Sequence, residues 1–336
     1  MGVIVMKIGI IFPGQGSQFL GMGKCFYDSE RIVQEFFDLA SKCLDQNFVR
    51  LCFASSENEL CQTINAQTAI FLVSASIFSV LNKTYGITPD LVAGHSSGEY
   101  SALFAAGGIT FPDALYLLKK RALFMEEATK TQKGGMLAVL GLNYEMLQKI
   151  CSQYDDGSSD DRVAQVVNFN SSRQLVVSGT MPELERIKYE VREYRGKAIM
   201  LNVAGAFHSR LMVEAEKKFD DYMLKVDFKD LSAPLANNTQ AKLICSADDI
   251  KEGLKRQISL PVLWWQSMQH FSDMDIILQI GPGDKLSKML KKEWPDKQIF
   301  AINSVEDMHD ILTLLGKKIE ILHEVTEVKK GEETSL

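Results

Sequence analysis

Apolar runs bounded by turn residues alternate with stretches of helical period through the first 130 residues. Val3–Phe12 is continuous enough to predict a buried strand, and Arg31–Leu44 repeats its apolar positions at the helical spacing. Gln67–Tyr85 predicts a long buried helix. Leu91–Ala93 reads as a short strand leading into a small-residue helix, Ser97–Ala106, and Pro112–Ala128 as a further helix. Such alternation predicts a parallel sheet covered by helices. After Gly134-Gly135 the rhythm changes to strand Met136–Leu140, helix Tyr144–Gln153, strands Val163–Phe169 and Gln174–Ser178, helix Met181–Tyr194 and strand Ala198–Val203. The order β-α-β-β-α-β is that of a ferredoxin-like unit. Residues 132–203 are therefore expected to form a small subdomain inserted into a larger one made of 1–131 and 204–325. Alternation resumes after Phe207, with strand Ile276–Ile280, the turn Gly281-Pro282-Gly283 and helix Lys285–Lys292. The charged end of the chain, 326–336, is expected to be disordered.

Composition narrows the class without deciding it. A chain of 336 residues, 46% hydrophobic and 24% charged, can bury a large core. A net charge of −6 argues against nucleic acid as the main ligand. The run Ala69–Leu81 is broken by serines and too short to span a bilayer, and the N-terminus lacks the basic start and cleavage site of a secretory signal. The six cysteines show no metal-ligand spacing, so no metal is expected, and free thiols fit a reduced cytoplasmic compartment. Long exposed apolar stretches are scarce, which favours a monomer.

The candidate chemistry begins at Gly94-His95-Ser96-Ser97-Gly98-Glu99, a serine between glycines at a strand-to-helix junction. This is the nucleophile-elbow pattern Gly-x-Ser-x-Gly, in which a sharp turn exposes the hydroxyl and the following N–H groups stabilise negative charge. Ser96 needs a base. His95 points away from it and reads as a hydrogen-bonder within the elbow; His270, His309 and His323 lie on helices. His208, in the apolar loop Val203–Ser209 after a strand, remains by elimination, the alternative being a core histidine satisfied by backbone. Arg121 falls at the centre of the apolar stripe of its helix, between Leu117 and Met125. A buried guanidinium keeps its charge and needs an anion, either an acid elsewhere in the chain or a substrate carboxylate held bidentately. The loop Pro13-Gly14-Gln15-Gly16-Ser17-Gln18 fails the dinucleotide spacing, because Phe19 stands where the third glycine belongs. It suits a second oxyanion donor instead.

Together these stretches resemble the malonyl-CoA:acyl-carrier-protein transacylase family, including the acyltransferase domains of polyketide synthases, over about residues 6–315. The likeness extends through Asn168-Phe169-Asn170-Ser171, Phe207-His208-Ser209, Gln257 with Pro261-Val262, and Gly281-Pro282-Gly283. The resemblance implies an α/β-hydrolase-like core with an inserted ferredoxin-like subdomain. It implies that Ser96 attacks the malonyl thioester with His208 as base, and that the phosphopantetheine thiol of an acyl carrier protein then takes the acyl group. By the same resemblance the backbone N–H groups of Gln15 and Ser97 form the oxyanion hole and Arg121 clamps the malonyl carboxylate. Backbone carbonyls orient the histidine, with the position of Gln257 contributing, and Phe207 disfavours a methyl branch on the acyl chain. No cofactor is implied; malonyl-CoA and the phosphopantetheinylated carrier protein are substrates, in fatty-acid or polyketide synthesis. Ser97 departs from the family, which usually carries an aliphatic residue there, and a second hydroxyl beside the ester leaves hydrolysis open.

The competing readings are an acyl hydrolase clearing carrier proteins and a non-catalytic carrier-docking module. Arg121 argues against the first, since a hydrolase of uncharged acyl chains has no use for a buried cation. The presence of both Ser96 and His208 argues against the second.

Overall fold

The computed structural model describes residues 6–131, 133–155 and 157–316. His323, Val3–Val5 and the expected tail at 326–336 lie outside the described residues.

A six-stranded sheet organises the larger part of the molecule. Its strands are β1 (Ile8–Phe12), β2 (Leu91–Gly94), β7 (Leu235–Ala236), β8 (Leu243–Ile244), β9 (Ile276–Ile280) and β10 (Gln298–Ile302). They lie in the order β10-β9-β1-β2-β7-β8, parallel except for the antiparallel β7–β8 pair. Every residue of β1 is buried, as a parallel strand covered on both faces requires. The second sheet is antiparallel, in the order β4-β5-β3-β6, from β3 (Gly134–Leu140), β4 (Ala164–Ser171), β5 (Gln174–Thr180) and β6 (Lys197–Met200). With helices Tyr144–Cys151 and Met181–Glu193 in the two crossovers, this is the ferredoxin-like arrangement expected from the pattern. The chain thus has an α/β fold with a mostly parallel sheet and a small antiparallel subdomain. The loop around Val262 joins the small sheet at β4, Val262 donating to the carbonyl of Val167 at 2.7 Å and accepting from Phe169 N–H at 3.0 Å.

Helix Arg31–Leu44 has the bounds its periodicity predicts. Other elements shift at their ends. Met6 and Lys7 do not join the first strand, and the expected strand Ala198–Val203 runs instead over Lys197–Met200. The long apolar helix begins earlier, at Thr63, so its 23 residues do reach membrane-spanning length. The most apolar 18-residue window of that helix is 94% buried inside the protein, where the helices Arg31–Leu44, Gly98–Ala105 and Phe111–Thr131 pack on it. Its apolar surface is thereby explained as core.

The register of the large sheet sets up the site. Phe12 at the end of β1 lies beside Gly94 at the end of β2, so the loops that follow leave the sheet side by side. β9 flanks β1 on the other side and ends at Ile280, just before Gly281. Three strand ends therefore gather their loops over one edge, where open α/β sheets place their ligands.

Candidate active site

Ser96 occupies a turn that only close backbone packing permits. Its φ is +53°, a left-handed conformation rare for a side chain other than glycine. The turn is held because Gly98 packs directly under it: a Cβ there would lie 2.4 Å from the carbonyl oxygen of Phe12. Asn238, just after β7, grips the turn from the other side. Its Oδ1 accepts the N–H of Ser96 at 2.7 Å and its Nδ2 donates to the carbonyl of Gly94 at 2.7 Å.

His208 comes from the loop after the small sheet and also has positive φ, +62°. Its Nε2 lies 2.7 Å from Ser96 Oγ, and its Nδ1 lies 2.9 Å from the carbonyl oxygen of Gln257. A carbonyl can only accept, so Nδ1 carries the proton and Nε2 is left as acceptor for the serine hydroxyl. Burial, with the neighbouring Arg121 charge, lowers the His208 pKa to about 3. The imidazole is therefore neutral and available as a base at physiological pH.

Arg121 is fully buried. Its Nη1 donates to Gln67 Oε1 at 2.8 Å, and its Nη2 donates to Gln257 Oε1 at 3.0 Å and to Ser96 Oγ at 3.2 Å. Its Nε, equally buried, has no partner. Among the described residues no carboxylate forms an ion pair with Arg121. The internal acid that one reading of the sequence required is thus not in contact with the guanidinium; Glu99 acts on it only from behind Gln257, and the fork faces the nucleophile.

The other expected residues fall around this centre. The backbone N–H groups of Gln15 and Ser97 donate no hydrogen bond within the described residues, and the Gln15 loop runs against the elbow, with Gly14 packed on the carbonyl of His95. Gln257 is fully buried and supplies both its carbonyl to His208 and its side chain to Arg121 and to the carbonyl of Ser96 at 3.1 Å. Phe207 is buried in the principal core beside Gly205, and its carbonyl accepts from Ser178 Oγ at 2.6 Å. His95 bonds within the elbow as expected, its carbonyl accepting from Gly98 N–H at 2.9 Å, and its ring has a further partner. It reaches across to Asn170 Oδ1 on β4, at 2.8 Å, because its ring points away from the nucleophile toward the small sheet.

Four residues given no role by the sequence complete the site: Gln67 and Asn238, outside the quoted motifs, and Asn170 and Glu99, within them. Gln67 stands as an amide within an apolar helix, and Glu99 as an acid at the start of a helix of small and apolar residues. An isolated polar group in such company is the signal that finds them, since it must be satisfied inside. Glu99 accepts from Asn238 N–H at 3.1 Å and from Gln257 Nε2, while burial raises its pKa to about 7.

Comparison with known proteins places this geometry. The family model for the acyl transferase domain matches residues 10–264. A malonyl CoA-acyl carrier protein transacylase of Bacillus subtilis (strain 168) is 38% identical over 289 residues, covering 85% of this chain and 90% of that protein. The chain belongs to the malonyl-CoA:acyl-carrier-protein transacylase family. Two solved structures of similar proteins extend the likeness to three dimensions. The malonyl CoA-acyl carrier protein transacylase of Coxiella burnetii superposes with a TM-score of 0.89 at 29% identity, covering 94% of this chain and 99% of that one. A malonyl-transacylase in complex with a type II polyketide synthase acyl-carrier protein gives 0.88 at 31% identity, covering 92% and 99%. In this transacylase-family chain, a neutral imidazole, a half-buried serine in a left-handed turn and two free N–H groups form a constellation suited to acyl transfer.

Proposed function

We propose that this protein transfers a malonyl group from malonyl-CoA, through an ester on Ser96, to the phosphopantetheine thiol of an acyl carrier protein in fatty-acid or polyketide biosynthesis. The observation that carries this reading is the buried Arg121 guanidinium, unmatched by any contacting carboxylate and 3.2 Å from Ser96 Oγ. A carboxylate two bonds from the reacting carbonyl is the anion that fits such a placement.

Ser96 Oγ attacks the thioester carbonyl as its proton passes to His208 Nε2. The N–H groups of Gln15 and Ser97 hold the resulting oxyanion. The carbon–sulfur bond then breaks, and His208 returns the proton to the departing coenzyme A thiolate. The carrier thiol reverses these steps, leaving Ser96 free. The carbonyl of Gln257 keeps His208 in the working tautomer throughout. The ring of Phe207 disfavours an α-methyl branch, a discrimination worth ~1–3 kcal/mol for one methyl group. The reaction divides between a larger lobe, 1–131 with 204–325, and the inserted 132–203. A cytoplasmic monomer accords with the six free thiols.

Intact-protein mass spectrometry tests the scheme. Malonyl-CoA should add one malonyl group to the parent protein, and the adduct should move to an added phosphopantetheinylated carrier protein. Ser96→Ala should carry no adduct, and Arg121→Ala should load malonyl far more slowly than acetyl groups. An adduct that survives in Ser96→Ala, or one lost to water and not to the carrier, would refute the transferase assignment.

A further inference from the structure

Beneath the nucleophile turn lies an acid that the chemistry above does not use. Glu99 is buried on the first turn of helix Gly98–Ala105, facing away from the site. Both of its oxygens act as acceptors, one from the backbone N–H of Asn238 and the other from Gln257 Nε2. The two donors are themselves the struts of the site. Asn238 holds the Ser96 N–H, and Gln257 touches Arg121, the Ser96 carbonyl and, through its main chain, His208.

We propose that Glu99 is a positioning residue for acyl selection: its carboxylate fixes the amide of Gln257 and thereby the aim of the Arg121 guanidinium. The inference rests on the transferase reading given above. A guanidinium has donors only, so Gln257 must present Oε1 to Arg121. Its NH2 group is then turned inward, where it needs an acceptor that does not itself donate. Asn238 N–H makes the same demand from another direction. A carboxylate in its ionised form meets both at once, the form that dominates above the raised Glu99 pKa of about 7. Glu99 also supplies the negative charge that a buried guanidinium needs, but at one remove, through Gln257. Direct pairing would quench Arg121. Placing the countercharge one residue away leaves the fork open for a substrate carboxylate. The remaining charged or titratable neighbours of Glu99 are Arg121 itself and Tyr100.

Glu99→Gln tests this, because the introduced amide keeps the shape but sets one NH2 group against a donor. The relief is a turn of the Gln257 amide, which would bring its own NH2 group against Arg121. The malonyl-to-acetyl ratio of loading rates should fall about tenfold or more, the size expected when a buried donor loses its acceptor. The loss should appear in KM for malonyl-CoA, with acetyl loading retained, whereas a residue needed only for folding would lower both alike. If Glu99→Gln does not fold, Glu99→Asp keeps an acceptor for Asn238 N–H but is one methylene too short to hold Gln257 Nε2 as well, and the malonyl-to-acetyl ratio should fall in the same direction. Either variant, folded and keeping the parent's ratio, overturns the proposal. A parent protein that loads neither acyl group would instead sink the transferase reading, and with it this inference.

Discussion

Ser97 carries a hydroxyl buried beside the nucleophile with no hydrogen-bond partner. Only its backbone N–H has work to do in acyl transfer. An unpaired buried hydroxyl forfeits its hydration without return, so Ser97→Ala should leave stability unchanged or raise it by up to about 1 kcal/mol. Urea denaturation measures this directly; a loss of stability would show that the hydroxyl has a partner after all. The residues that motifs and spacing picked out, Ser96, His208 and Arg121, are brought within hydrogen-bonding reach of one another. They were legible because each breaks a local rule: a serine between glycines, a histidine in an apolar loop, a charge on an apolar stripe. Asn238 was not, because an amide in a loop breaks no rule until its partners arrive from distant segments.

At the scale of the element, the turn at Ser96 depends on glycine on its far side. A methyl group at residue 98 would meet the backbone oxygens of Phe12 at 2.4 Å and Pro13 at 2.7 Å, and neither strand end can retreat. Gly98→Ala should cost roughly 3 kcal/mol or more and shift the elbow away from His208. A variant as stable as the parent in thermal melting, with normal Ser96 acylation, would contradict this account. Long periodic elements such as Arg31–Leu44 and the buried strands were readable in the pattern. Short pieces were not. Helices Lys24–Ser29, Phe48–Ala54 and Glu57–Cys61 span only one or two turns, too few for a period to emerge. The two-residue strands β7 and β8 exist only because the neighbouring sheet edge pairs with them.

Across the whole molecule, burial of the site ties stability to pH. The His208 pKa falls from 6.5 to about 3 on folding, so the unfolded chain takes up a proton that the folded one refuses. Stability should therefore decline as pH falls from 6.5 toward 3. His208→Asn removes that proton and should flatten the decline of the melting temperature over this window. Glu99, whose raised pKa acts in the opposite sense between pH 4.5 and 7, is present in both proteins and drops out of the difference. Identical slopes would mean the imidazole is protonated in the folded state. The small antiparallel sheet was legible from the change of rhythm after Gly134; its tie to the loop at Val262 was not, since a single bridge leaves no periodic trace. One feature of the architecture bears on how the chain is made. The helix Thr63–Tyr85, apolar nearly all round, emerges early in synthesis, while β9, which packs on it and pairs with β1, begins only at Ile276. At about 5–20 residues per second, the roughly 200 residues between them take ~10–40 s to appear. For that interval the most hydrophobic segment of the protein waits on the ribosome without its full cover, so the nascent chain is a client for chaperones well before it is an enzyme.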